Sequence, residues 1–93
     1  MIQSFRCKET QALFETGDSS RWRSILRQAI RKLHMLNEAT ELRDMARIPG
    51  NRLESLQGDR IGQWSIRINN QWRLCFIWDQ PNVLDVEIID YHH

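Results

Sequence analysis

The chain has 93 residues, 41% of them hydrophobic, a formal net charge of +1 and two cysteines, which is enough for one core and too little for two. No run approaches the roughly 18 to 20 consecutive apolar residues that span a bilayer, and the opening Met1-Ile2-Gln3-Ser4-Phe5-Arg6 lacks the charged start and apolar stretch of a secretory signal. A cytoplasmic protein with one domain over residues 1–93 and no membrane partner is therefore expected. Cys7 and Cys75 stand outside any C-x-x-C spacing, and Cys75 lies in an apolar run, where a buried reduced thiol is the ordinary reading.

In chain order, Ile2 to Phe5 reads as a short edge strand and Glu9 to Thr16 as a brief helix closed by Gly17. Residues 20 to 37 follow with Trp22, Ile25, Leu26, Ala29, Ile30, Leu33 and Leu36 on one arc, the spacing of an amphipathic helix, with Ser19 or Ser20 as its cap. Arg21, Arg23, Arg27, Arg31 and Lys32 share the opposite arc with no acid among them. That face serves either solubility or a polyanionic partner, and His34 falls on the same side as a solvated residue. Thr40 to Ala46 suggests a short helical turn opened by Thr40, and Pro49-Gly50-Asn51 breaks the helical part.

From residue 53 the period changes to two. Trp64, Ile66 and Ile68 precede the turn Asn69-Asn70; Trp72, Leu74, Phe76 and Trp78 alternate with Arg73, Cys75 and Ile77; Asp79-Gln80-Pro81-Asn82 makes the next turn. Leu84, Val86 and Ile88 then alternate with Asp85 and Glu87. Short connections make this an antiparallel meander. Helices first and sheet second predict an α+β fold, with N-terminal helices packed on one face of a small antiparallel sheet and the other face partly polar and open.

Charge is unevenly spread, with eleven Lys/Arg against eight Asp/Glu in residues 1–60 and two against four in residues 61–93. The overall pI of about 7.9 is nevertheless modest beside the values above about 9 usual for nucleic-acid binders. The sequence contains no Gly-rich phosphate loop, no H-E-x-x-H, no Cys/His metal spacing and no G-x-S-x-G elbow, so neither a metal nor a cofactor is expected. What remains is Asp90-Tyr91-His92 at the end of the last strand, together with Arg73 on the row facing away from Trp72 and Leu74. A histidine exchanges protons near neutral pH, a tyrosine offers a hydroxyl and a stacking ring, and an arginine holds phosphate.

RNA carries its own nucleophile. A 2′-hydroxyl attacks the adjacent phosphate once a base takes its proton and an acid protonates the departing 5′-oxygen. Arg73, with Arg60 or Arg67, is placed to meet the charge that develops on the phosphorus oxygens. Strand parity sets a condition: Tyr91 shares a face with Glu87, whereas Asp90 and His92 share the face of Ile88. Bringing all three to one substrate requires a bulge or an open strand end.

Several segments together resemble a known family. Ile2-Gln3-Ser4-Phe5, Leu53-Glu54-Ser55-Leu56-Gln57-Gly58-Asp59-Arg60, Gly62-Gln63-Trp64-Ser65-Ile66-Arg67, Asn70-Gln71-Trp72-Arg73-Leu74-Cys75-Phe76 and Val86-Glu87-Ile88-Ile89-Asp90-Tyr91-His92 are similar, in this order, to the HigB-type toxins of the RelE superfamily. The resemblance spans nearly the whole chain. It implies a RelE-like fold and a toxin that cleaves mRNA on the ribosome without a metal until a HigA-type helix-turn-helix antitoxin silences it. It further implies that Asp90, Tyr91 and His92 form the terminal catalytic cluster and that Arg73 binds phosphate. Beside what the resemblance implies, Arg60, Arg67 and Gln57 are expected as further RNA or phosphate contacts. Some members carry a His and a Lys where this chain has Glu54 and Gln57, so a comparatively mild toxin is expected. Two rivals are a gyrase-poisoning toxin of the same superfamily and a non-catalytic nucleic-acid- or protein-binding module.

Overall fold

The computed structural model describes residues 1–91; His92 and His93 lie outside the described residues. The chain begins with Ile2 and Phe5 in parallel bridges to Val83 and Val86, so the expected edge strand is two isolated bridges instead of a continuous ladder. Helix α1 follows at Lys8–Thr16 and stops at Gly17, whose φ of 76° lets its N–H return to the Leu13 carbonyl.

The long amphipathic segment opens with a 3₁₀ turn at Arg23–Ile25 and continues as α2, Leu26–Glu38. Ser19 Oγ accepts from the Trp22 N–H at 3.2 Å, so one of the two expected serines caps the lead-in turn. Ala29, Leu33 and Leu36 are fully buried, as their spacing requires. A five-residue helix α3, Leu42–Ala46, opens two residues later than expected. Asp44, not Thr40, supplies the cap, its carboxylate accepting from the backbone N–H groups of Thr40 and Glu41 at 3.1 and 3.0 Å.

The second half is a four-stranded antiparallel meander in sequence order: β1 Glu54–Ser55, β2 Trp64–Arg67, β3 Trp72–Asp79 and β4 Asn82–Asp90. Ile66, Leu74, Phe76, Val83, Val86 and Ile88 meet Leu13, Trp22, Leu33 and Leu36 in one apolar layer. Helices therefore cover one sheet face, as expected. At about 25 cal/mol per Å² of apolar surface removed from water, this layer is the main source of stability.

One row departs from the expected alternation. Cys75 pairs with Glu87 and Ile77 with Leu84, so Asp85 and Val86 together oppose Phe76, which is a β-bulge. Asp85 takes φ 52°, a left-handed conformation that aspartate tolerates better than most residues. N-terminal to the bulge the phase inverts. Val83 is fully buried while Leu84 is half-buried, which corrects the expected core position of Leu84. The Ser4 hydroxyl accepts from the Asp85 N–H at 2.9 Å, and the irregularity divides the N-terminal pairing into its two bridges.

Candidate active site

The sheet face away from the helices carries Glu54, Ser65, Cys75 and Glu87 in one cross-strand row and Arg67, Arg73 and Ile89 in the next. This face is polar, as expected, and a good part of it is buried. Arg73, at the centre of β3, is only 5% exposed. Its Nε donates to Ser65 Oγ at 2.8 Å, and its Nη2 donates to the carbonyls of Arg52 and Ser65 at 2.5 and 3.3 Å. Arg52 turns its carbonyl inward from a left-handed conformation, φ 46°. Nη1 is the edge that faces a carboxylate, Glu54 Oε1 at 3.8 Å. The guanidinium is thus fixed on two sides, so the free energy of ordering it is spent in folding and not in binding.

Tyr91 follows the last residue of β4. Its N–H donates to the Gln71 carbonyl at 2.6 Å, and the Arg73 guanidinium lies 5.4 Å from the centre of its ring, within cation–π range. Arg73 and Tyr91 are therefore brought together. Asp90 pairs with Trp72 on the opposite side of the strand, and its carboxylate accepts from Gln71 Nε2 at 3.1 Å. The bulge at Asp85 lies upstream of both residues and leaves their relative sides unchanged. Asp90 and Tyr91 leave β4 on opposite faces, as parity requires, and His92 lies outside the described residues.

The other expected RNA contacts are spread around this centre. Arg60 ends a 3₁₀ turn at Gly58–Arg60 and donates from Nη1 to Glu87 Oε1 at 2.6 Å and to Gln63 Oε1 at 3.1 Å. Arg6 approaches the same Glu87 oxygen at 4.0 Å. Gln57 stands exposed where that turn begins. Arg67 bonds across the β2–β3 turn to Asn70 Oδ1 at 2.6 Å, so its side chain runs toward the end of the sheet.

Burial pushes the Cys75 thiol up to about 11, and it stays a neutral filler between Ser65 and Glu87. Both cysteines are free. Among the described residues no three His, Cys, Asp or Glu side chains converge in a metal-binding group, and no helix is long and apolar enough to cross a membrane.

The basic arc of α2 is narrower than its sequence suggests. Arg21 Nη1 is bonded to Glu9 of α1 at 2.7 Å, and Lys32 bonds to the side chain of buried Asn51. Desolvation, with Arg31 and Arg67 nearby, lowers the Lys32 pKa. Arg23, Arg27 and Arg31 remain as exposed cations. His34 is exposed yet lies 5.2 Å from the Phe14 ring, so it is packed as well as solvated. The residues sequence reasoning missed are Ser65 and Arg52, which hold Arg73, and Glu87, which holds Arg60. Only the polar row of β2–β3–β4 hinted at them.

Similarities to known proteins agree with this architecture. The sequence matches the family described as "RelE-like toxin of type II toxin-antitoxin system HigB" over residues 3–92. It is 39% identical to Toxin HigB-1 of Vibrio cholerae across 84% of each chain. With Endoribonuclease HigB of Proteus vulgaris it is 33% identical, over 99% of this chain and all of that one. In fold it is similar to the YoeB toxin in a YoeB–YefM complex from Staphylococcus aureus, with a TM-score of 0.59 and 15% identity over 100% and 99% of the two chains. It is also similar to YafQ from Escherichia coli, with a TM-score of 0.58 and 12% identity over 98% and 92%. An α+β sheet covered on one face by its N-terminal helices and a family match over nearly its whole length place this chain among the RelE-like HigB toxins of type II toxin–antitoxin systems.

Proposed function

We propose that this toxin is an RNA endonuclease that cleaves mRNA on the ribosome and is held in check by a HigA-type helix-turn-helix antitoxin in the cytoplasm. The observation that carries the reading is the buried Arg73 guanidinium 5.4 Å from the centre of the Tyr91 ring. A fixed cation beside an aromatic ring suits a phosphate and the base stacked next to it. In this reading Arg73 holds the scissile phosphate, Tyr91 stacks or hydrogen-bonds, and His92 gives a proton to the departing 5′-oxygen. Asp90 orients the strand end through Gln71. Arg60, Arg67 and Gln57 line the path of the RNA, and the exposed Arg23, Arg27 and Arg31 offer a sequence-independent contact to ribosomal RNA.

The reading is tested by inducing the toxin in cells and mapping mRNA 5′ ends, with His92→Ala as the comparison. Codon-phased ends that disappear in the variant are expected. Intact transcripts beside broken DNA would instead assign a gyrase poison, and a growth defect unchanged in His92→Ala and Tyr91→Ala would assign a non-catalytic binder.

A further inference from the structure

We propose that Glu87 organises a second phosphate subsite, in which Arg60 and Arg6 receive the phosphate of the nucleotide beside the one held at Arg73; the proposal rests on the nuclease reading above and deepens it. Three segments distant in sequence meet here. Glu87 lies on the polar face of β4 with its side chain 14% exposed, Arg60 reaches it from the turn between β1 and β2, and Arg6 from the N-terminal segment. Arg60 Nη1 is bonded to Glu87 Oε1 at 2.6 Å, and Arg6 Nε stands 4.0 Å from the same oxygen. One carboxylate thus gathers two guanidiniums, and the cluster keeps a net positive charge.

The Arg60 guanidinium is held by one nitrogen. Its Nη1 also donates to Gln63 Oε1 at 3.1 Å, while its Nε and Nη2 have no partner among the described residues. Those two nitrogens form the fork that takes two phosphate oxygens side by side. The Arg60 side chain is 35% exposed and that of Arg6 56%, so a ligand reaches both.

The cluster sits in the row that pairs Ser65, Cys75 and Glu87, and Arg73 belongs to the next row of the same face. Such rows are about 7 Å apart, so an RNA strand laid along β3 passes from one guanidinium to the other between successive phosphates. Cys75 lies within electrostatic reach of Arg60, Glu87 and Arg73 together, which sets the cations around one buried residue. Along this face Arg6, Arg60 and Arg73 stand against Glu54 and Glu87, and the balance favours an anion.

The part of Glu87 is to position. An arginine on a surface turn has many rotamers, and holding it against the sheet spends the cost of ordering it in folding instead of in binding RNA. The flanking phosphate does not react, so its contact is the same in the bound substrate and in the transition state. It lowers KM and leaves kcat alone.

The test is cleavage of mRNA on programmed ribosomes by the purified full-length toxin, with the linkages beside the scissile one either native or replaced in turn by a neutral methylphosphonate. Arg60→Met raises KM about 10- to 100-fold with kcat little changed, and Arg6→Met raises it by a smaller factor. One of the two methylphosphonates raises the KM of the wild type in the same way and adds nothing further in Arg60→Met. Glu87→Met, which removes the acceptor, matches Arg60→Met, and the two together are no worse than either. Glu87→Gln, which keeps an acceptor for Arg60, recovers most of the affinity.

If Glu87 only neutralises the cations, Glu87→Met and Glu87→Gln both lower KM and the proposal fails. It fails equally if Arg60→Met or Arg6→Met leaves KM unchanged, variants that serve as well where Glu87→Met does not fold, or if neither methylphosphonate affects the wild type. A wild-type toxin that leaves ribosome-bound mRNA intact overturns the nuclease reading and the subsite with it, whereas cleavage at one KM by wild type and variants alike overturns only the subsite.

Discussion

The two faces of β3 are buried to the same degree and built from opposite materials. Leu74 and Phe76 on the helix side and Arg73 and Cys75 on the other are all 5% exposed or less. On the first face burial is unconditional, because any apolar surface taken from water stabilises the fold. On the second it is conditional, since each polar atom needs a partner placed for it. The difference teaches that burial alone does not separate scaffold from site; the test is whether the buried group has a polar atom left over. In Arg73 that atom is Nη1.

The largest expected effect lies on the apolar face. Phe76→Ala removes a fully buried ring opposite the bulge and should cost about 3 to 5 kcal/mol in denaturant unfolding. A loss below about 1 kcal/mol would show that the helices do not depend on this layer. Next comes Arg73→Met, which keeps most of the volume but strands the Ser65 and Arg52 carbonyls. A loss of about 1 to 3 kcal/mol in stability, together with a fall of about 10²- to 10³-fold in cleavage, is expected. Undiminished cleavage by a folded Arg73→Met would remove the polar face from the chemistry.

The smallest effect is at Cys75. Its thiol ionises at 9.0 ordinarily and at about 11 when buried here, so the folded state favours the neutral form. The stability it contributes is complete below pH 9 and is lost as pH rises from 9 through 11. Thermal unfolding of Cys75→Ala should therefore fall less steeply over that range than that of the wild type; parallel curves would mean that the thiol does not drive the alkaline loss.

The sequence made the helix-facing layer legible because spacing alone dictates it: Ala29, Leu33 and Leu36 fall a turn apart, and Trp72, Leu74 and Phe76 fall two apart. The bulge was not legible. Val83 and Leu84 are both apolar, so the run reads equally well in either phase, and only the pairing of Ile77 with Leu84 decides between them. Residue types and a family resemblance pointed to Arg73 and Tyr91, yet no local pattern could show that Arg73 is anchored by Ser65 and Arg52. Those partners lie 8 and 21 residues away. Glu54 looked like a missing cation in one dimension and becomes a carboxylate beside a cation in three.

The N-terminal bridges bear on a different hazard. A sheet ends in two outer strands whose unpaired amides can recruit a strand from another molecule and seed aggregation. One rim of this sheet is β1, only two residues long. The other is β4, roofed by Met1 to Arg6 through backbone bonds to Val83 and Val86 and interrupted where Ser4 meets Asp85. Neither rim presents a long, flat template, so the geometry that seats the first residues of the chain also protects the sheet from self-association.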